Sequence, residues 1–322
     1  MHSRRLFPWC TAALLAGALL LPAPSFAADI FKLTDPRGDD HGDGQLQYPL
    51  SSEFALGDLD LLSLTAEAQK DGTLFEATFA RPVRVPERVA IDDLGTQLNT
   101  IARFGFYTLN LEIYIDQDRR PGSGAIHTLP GRHAEIDPAS AWEKAILLTP
   151  RPNEARGELK RMLMRELNEQ AKKDDSDLEV SEIDALKAQV PGDVEERIFF
   201  PTQVRVRGNK ISFFVPTSFL GDVAKSNWSY VVAVSGANVL QSFGLGRALT
   251  GAEREESLMI LPISPGRWQD RFGGGRESAP NQPPLVDILV PEGRKQESVL
   301  SSFDRKKPVV LPGVVPAEAG KK

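Results

Sequence analysis

The densest chemistry in the chain lies between residues 35 and 44. There Asp35-Pro36-Arg37-Gly38-Asp39-Asp40-His41-Gly42-Asp43-Gly44 packs four carboxylates and three glycines into ten residues. Carboxylates this close repel one another unless a cation or solvent intervenes. Glycine lets the backbone turn tightly enough to aim several oxygens at one point. Hard cations such as calcium take roughly six to eight oxygen ligands, so an oxygen-rich, glycine-broken loop suits them. Asp35, Asp39 and Asp40 can converge from this loop, with Asp43 at its edge. Asp60 opens a nearby strand, and Asp116 and Asp118 end the strongest one. With loops gathered at one rim, Asp35, Asp39, Asp40, Asp60 and Asp116 form the expected metal set, and calcium is the expected ion. The spacing is not that of an EF-hand, because no Glu closes the loop at the required place. The alternative is a set of Asx turns, in which Asp carboxylates cap backbone amides; Asp43 and Asp118 are expected as plain surface charge.

Other chemistries find less support. Sugar rings stack on exposed aromatic faces, and the candidates are Trp268, between Arg267 and Gln269 in a Pro/Gly-rich loop, and Tyr48. Trp142 and Trp228 lie in strand-like runs and are expected in the core. An aromatic content of 7% is low for a dedicated polysaccharide binder. A glycosidase needs two carboxylates facing each other across a bond, and none of the acids has a context that marks such a pair. Ser235-Gly236 lacks the Gly-x-Ser-x-Gly elbow. No catalytic residue is expected. His41, His127 and His133 are too scattered for a zinc motif. Met259 with His127 or His133 would serve as haem ligands, but there is no Cys-x-x-Cys-His attachment motif. Gly273-Gly274-Gly275 lacks the strand-to-helix setting of a phosphate loop.

The elements that must position these residues read mainly as strands. Leu59–Ala66 and Thr73–Ala80 flank a Lys70-Asp71-Gly72 turn, and Phe75, Ala77 and Phe79 share one face. Gly105–Ile115 is the strongest strand. Tyr107, Leu109, Leu111, Ile113 and Ile115 suit a core, with Phe106, Thr108, Asn110, Glu112 and Tyr114 opposite. Trp142–Thr149, Gln203–Val206, Ile211–Val215, Trp228–Ser235, Leu285–Val290 and Val309–Leu311 continue the series. Between them, Leu159, Met162, Leu163, Leu167 and Ala171 recur at helical spacing in a charged stretch. This predicts an inserted helical hairpin over 153–192 that ends at Pro191-Gly192. Many short strands with Gly/Pro turns and no βαβ rhythm predict an all-β antiparallel sandwich. It is a single domain over 28–316, followed by a frayed tail, 317–322.

The first 27 residues read as a secretory signal. Arg4 and Arg5 precede the apolar stretch Thr11–Leu21, and Ser25-Phe26-Ala27 supplies small residues for cleavage. The apolar run is short of the roughly 20 residues a membrane span needs, so the mature chain is expected without a span, in the periplasm or outside the cell. The one cysteine, Cys10, falls in this segment, which excludes thiol catalysis in the mature protein. The net charge of −6 becomes about −8 once Arg4 and Arg5 are removed. Phosphate binding needs a basic face, so nucleic acid is not an expected partner.

Four blocks in order carry a family resemblance. They are Asp35-Pro-Arg-Gly-Asp-Asp-His-Gly42 with Tyr48-Pro49, Phe54, Gly57 and Asp60-Leu61; Leu111-Glu-Ile-Tyr-Ile-Asp116; Leu129-Pro-Gly131 with Trp142-Glu-Lys-Ala-Ile146; and Leu285-Val-Asp-Ile-Leu-Val-Pro-Glu-Gly293 with Ser301-Ser-Phe-Asp304. Together they resemble the glucodextranase C-terminal-type domain over most of the mature chain outside the helical insertion. The resemblance implies a β-sandwich akin to S-layer-homology-like and carbohydrate-binding modules. It also implies a binding accessory of glycoside hydrolases that act on α-glucans, rather than an active site. The loop after Phe79 departs from the family pattern, reading Arg81-Pro-Val-Arg-Val-Pro86 in place of a Trp-bearing turn. The chain thus reads as a secreted, calcium-stabilised, non-catalytic module whose expected partner is a glycan or cell-envelope polysaccharide. The alternatives are a periplasmic protein-interaction module that uses the inserted helices, and a haem-binding redox module.

Overall fold

The computed structural model describes residues 28–171, 180–239, 258–276, 279–280, 282–304 and 306–317. The expected signal segment 1–27, the tip of the helical hairpin and most of the expected tail lie outside the described residues. The strands are β1 Ala28–Thr34, β2 Leu61–Gln69, β3 Gly72–Phe79, β4 Leu109–Asp116, β5 Ala134–Ile136, β6 Lys144–Leu148, β7 Ile198–Phe199, β8 Val204–Arg207, β9 Lys210–Pro216 and β10 Ser229–Gly236. Short strands follow: β11 Ile263–Ser264, β12 Phe272–Gly273, β13 Gly275–Arg276, β14 Ala279–Pro280, β15 Asp287–Ile288 and β16 Val309–Leu311. The helices are α1 Leu98–Ile101, α2 Pro152–Ala171, α3 Val180–Arg197, α4 Thr217–Leu220 and α5 Gln296–Leu300.

Two five-stranded sheets form an all-β sandwich. The first runs β1-β2-β3-β9-β8 and the second β15-β10-β4-β6-β7. All pairs in the first sheet are antiparallel, and so are those joining β15, β10, β4 and β6. Period-2 alternation explains the first sheet. Phe75, Ala77 and Phe79 of β3 and Ile211, Phe213 and Val215 of β9 all point inward. There they meet Leu109, Leu111, Ile113 and Ile115 of β4 and Tyr230, Val232 and Val234 of β10. The Phe75 and Phe213 rings stack at 5.6 Å between centroids.

The second sheet departs from simple alternation. Every residue of β4 and β10 is buried, because a second apolar cluster, to which α2 and α3 contribute together with Leu258, Met259, Val299, Leu300, Val309 and Leu311, covers the sheet's outer face. Ala155, Leu159, Met162, Val190 and Val194 of these helices pack in one cluster with Tyr114, Leu147, Val231 and Ala233. Glu112, expected on the polar side of its strand, is therefore buried. It is held there by Arg132, with Nη2 2.6 Å from Oε1. The helical hairpin also runs past its expected end. Pro191 lies inside α3, which continues to Arg197. Proline removes one backbone donor, and here the buried Val190 and Val194 on either side of it keep the helix going. Among the described residues, no helix is long and apolar enough to cross a membrane.

Candidate metal centre

Three elements converge at one end of the sandwich. Asp35 follows directly on β1, and its amide donates to Leu62 O at 3.0 Å. The chain then turns through Gly38, whose φ of 86° is a left-handed value that favours glycine. The Gly38 amide donates to Asp60 Oδ2 at 2.7 Å. Asp60 in turn precedes β2. From the other sheet comes Asp287 of β15, whose Oδ2 accepts from Leu61 N at 2.6 Å. Gln296 of α5 pins the loop from below. Its Oε1 accepts from Ile288 N at 2.7 Å, and its Nε2 donates to Asp39 O and to Gly42 O. Gly42, with a left-handed φ of 61°, favours glycine here, and a Cβ would also crowd Gln282 Oε1.

Asp35, Asp39 and Asp287 each offer a carboxylate oxygen within 4.8 Å of the other two. Asp287 is fully buried. Among the described residues, both oxygens of Asp35, and one each of Asp39, Asp60 and Asp287, are buried without a hydrogen-bond donor. Among the described residues none of these four acids pairs with a Lys or Arg. Neighbouring Asp58 shows the contrast. It is equally enclosed, but Arg81 and Arg84 neutralise it at 3.2 and 2.6 Å. The Arg81–Pro86 loop therefore serves the structure by supplying those two cations.

The electrostatics follow from this crowding. Burial raises the Asp35 carboxyl to about 8, helped by the charges of Asp39 and Asp60 and opposed by its contact with Asp287. Burial also raises Asp39 to about 6 and pushes Asp60 up, against the Gly38 hydrogen bond. Asp287 is driven well up, first by burial and then by Asp35 and Asp39. Two unit charges at 4 Å repel by roughly 4 kcal/mol in a protein-like dielectric. Such a group either takes up protons or surrounds a cation. Its donors are all oxygen, which suits a hard ion such as calcium or magnesium.

The expected metal set is thus regrouped. Asp35 and Asp39 come together and Asp60 lies beside them. Asp40 braces the loop, its Oδ2 accepting from Tyr48 Oη and from Gly57 N, the latter at 2.7 Å, while among the described residues its Oδ1 is buried without a partner. Asp116 does not join. On β10, Val234 pairs with Asp287 while Ser229 pairs with Asp116. Five residues at about 3.3 Å each separate the two acids by roughly 17 Å along the strand. Asp287 was not among the expected ligands. Its signal was an acid within the apolar run Leu285-Val286-Asp287-Ile288-Leu289-Val290, where an unpaired charge is costly.

The expected sugar-contacting pair also separates. Tyr48 is buried, its ring edge-on to Phe272 at 5.4 Å, so it has no face to offer a ligand. Trp268 is 64% exposed. Its carbonyl accepts from Leu50 N at 2.9 Å, which sets exposed Leu50 beside it. Trp142 and Trp228 are core residues. Met259, weighed as a haem ligand, is buried against the second sheet, whereas His127 is exposed and faces Glu135 at 3.5 Å.

A two-sheet antiparallel sandwich with acid-lined loops at its rim and an exposed tryptophan beside them has the build of a binding module. The chain belongs to the family described as the C-terminal binding-module, SLH-like, of glucodextranase, whose model matches residues 30–313. That family describes a binding module and not a catalytic domain. No curated protein matches the chain.

Proposed function

We propose that this protein is an exported, non-catalytic module that binds carbohydrate or cell-envelope polysaccharide and is stabilised by calcium. The observation that carries the calcium reading is the group Asp35, Asp39 and Asp287, with buried oxygens that no donor or cation among the described residues serves. Family membership supports the binding role. Arg4, Arg5 and the apolar stretch after them support export.

The cation loop also supports the only large exposed aromatic surface among the described residues. From Gly42 the chain runs to Gln47, which exchanges backbone hydrogen bonds with Gly273, and on to Leu50, which bonds to Trp268. Trp268, with exposed Arg267 and Gln269 on either side, is the proposed sugar platform. An aromatic face stacks on a sugar ring, and the flanking side chains bond its hydroxyls.

The experiment has two arms. Calcium added to chelator-treated protein should raise the melting temperature, and Asp39→Ala should abolish the response. Unchanged melting in protein shown to carry the ion removes calcium's stabilising role. Retention on insoluble α-glucan and on cell-wall polysaccharide should fall in Trp268→Ala while its melting stays that of the parent. Equal retention of the two proteins removes the platform.

A further inference from the structure

At the far end of the second sheet, β4 runs out at Asp116 and the chain turns through Gln117–Gly124. Oxygens of Asp116, Asp118 and Glu143 lie within 4.8 Å of one another. Acids often cluster on surfaces, and what sets this group apart is Asp116. It is 1% exposed. Its Oδ1 accepts from Arg119 N at 2.6 Å, and among the described residues its Oδ2 is buried with no donor. A buried carboxylate oxygen in that state has lost its hydration and gained nothing for it. Among the described residues none of the three acids forms an ion pair, although Arg119 and Arg120 lie in the same loop and exert a pull on Asp116 and Asp118. The Ser123 hydroxyl points to the same shortage of donors. It lies 2.9 Å from Asp118 Oδ1, 3.2 Å from Glu143 Oε1 and 2.8 Å from Arg120 O. One hydroxyl carries one proton and cannot serve three acceptors.

We infer that Asp116, Asp118 and Glu143 form a second site for a hard divalent cation, separate from the Asp35–Asp39–Asp287 group. The donors are all oxygen, which disfavours zinc. The loop residues Asp118–Ser123 are exposed and adaptable, which suits calcium better than the strict octahedron of magnesium. The site opens on a cleft of ≈ 590 Å³ lined by Gln117, Ser123, Glu143, Lys144, Glu196 and Arg197, so water completes the coordination shell from that side. The ion ties the end of β4 to the start of β6, because Glu143 immediately precedes Lys144. Glu143 already accepts from Gln117 N at 2.7 Å.

The test is calcium stoichiometry by titration calorimetry, together with terbium emission excited through tryptophan; Trp142 is the sequence neighbour of Glu143. The parent should bind two ions. Asp118→Asn, at an exposed position that threatens no core packing, should bind one and lose the tryptophan-sensitised terbium signal. Its Asp39-dependent rise in melting temperature should survive. Glu143→Gln should behave alike, and Asp39→Ala should keep the terbium signal. A parent that binds one ion, lost in Asp39→Ala and untouched in Asp118→Asn, overturns the second site and leaves the first standing. Two ions that persist in both Asp118→Asn and Glu143→Gln overturn it as well. One ion lost in Asp118→Asn alone upholds the second site and removes the first.

Discussion

Asp287 sits in an apolar run at the edge of the second sheet, and its carboxylate reaches Asp35 and Asp39 from across the sandwich. In metal-free protein this meeting costs stability as the acids ionise. The folded-state values of Asp39, about 6, and Asp35, about 8, lie above the ordinary 3.8. Their contribution is therefore complete below that ordinary value and is lost as pH rises through about 6 and then about 8. The melting temperature of stripped protein should fall across this window, and saturating calcium should flatten or reverse the trend. A stripped protein that gains stability over the same range contradicts the repulsion. Asp287→Asn keeps an acceptor for Leu61 N and removes one charge. It should stabilise the metal-free form, since a buried acid that resists ionisation is replaced by a neutral group, and erase the response to calcium. Chemical denaturation with and without the ion measures both.

At the scale of elements, α2 and α3 read in the sequence as an inserted charged hairpin, since most of their positions are polar. Their few apolar positions instead join the second core on that sheet's outer face, where α3 packs against β6 and β7. Leu159→Ala should cost about 2–5 kcal/mol, as for a buried leucine. A decorative helix would lose no more than about 0.5 kcal/mol, so urea unfolding decides between the two. Glu112 and Arg132, each 1% exposed, lie on the same face, where Arg132 also donates to Pro130 O and Leu258 O. Glu112→Gln leaves the guanidinium buried without its counter-charge and should cost about 3–5 kcal/mol. A loss below about 1 kcal/mol would mean that water reaches the pair.

For the whole molecule, the proposed cation lies between sheets. Asp35 and Asp60 flank strands of the first sheet, and Asp287 belongs to the second. An ion held by both sheets stabilises the sandwich as a unit. A ligand at a hundredfold excess over its Kd adds about 2.7 kcal/mol to the folded state. Calorimetry should show one transition that moves as a whole on adding calcium. A split into a calcium-sensitive and an insensitive transition would place the ion's effect on the loop alone.

The alternation of Phe75, Ala77 and Phe79, the run from Leu109 to Ile115 and the acid-rich turn at Asp35–Gly44 were legible without coordinates, because strand faces and turn chemistry are set by near neighbours in the chain. The sandwich, the core tryptophans and two of the three clustered carboxylates followed from them. The rest depended on contacts between distant segments. Whether Tyr48 is surface or core, whether Asp116 joins Asp287 or lies about 17 Å from it, and which acid completes the group are questions of register and layer order. Strand pairing fixes those through hydrogen bonds and burial summed over both sheets; local sequence marks Asp287 as an acid in an apolar run but not the partners it meets.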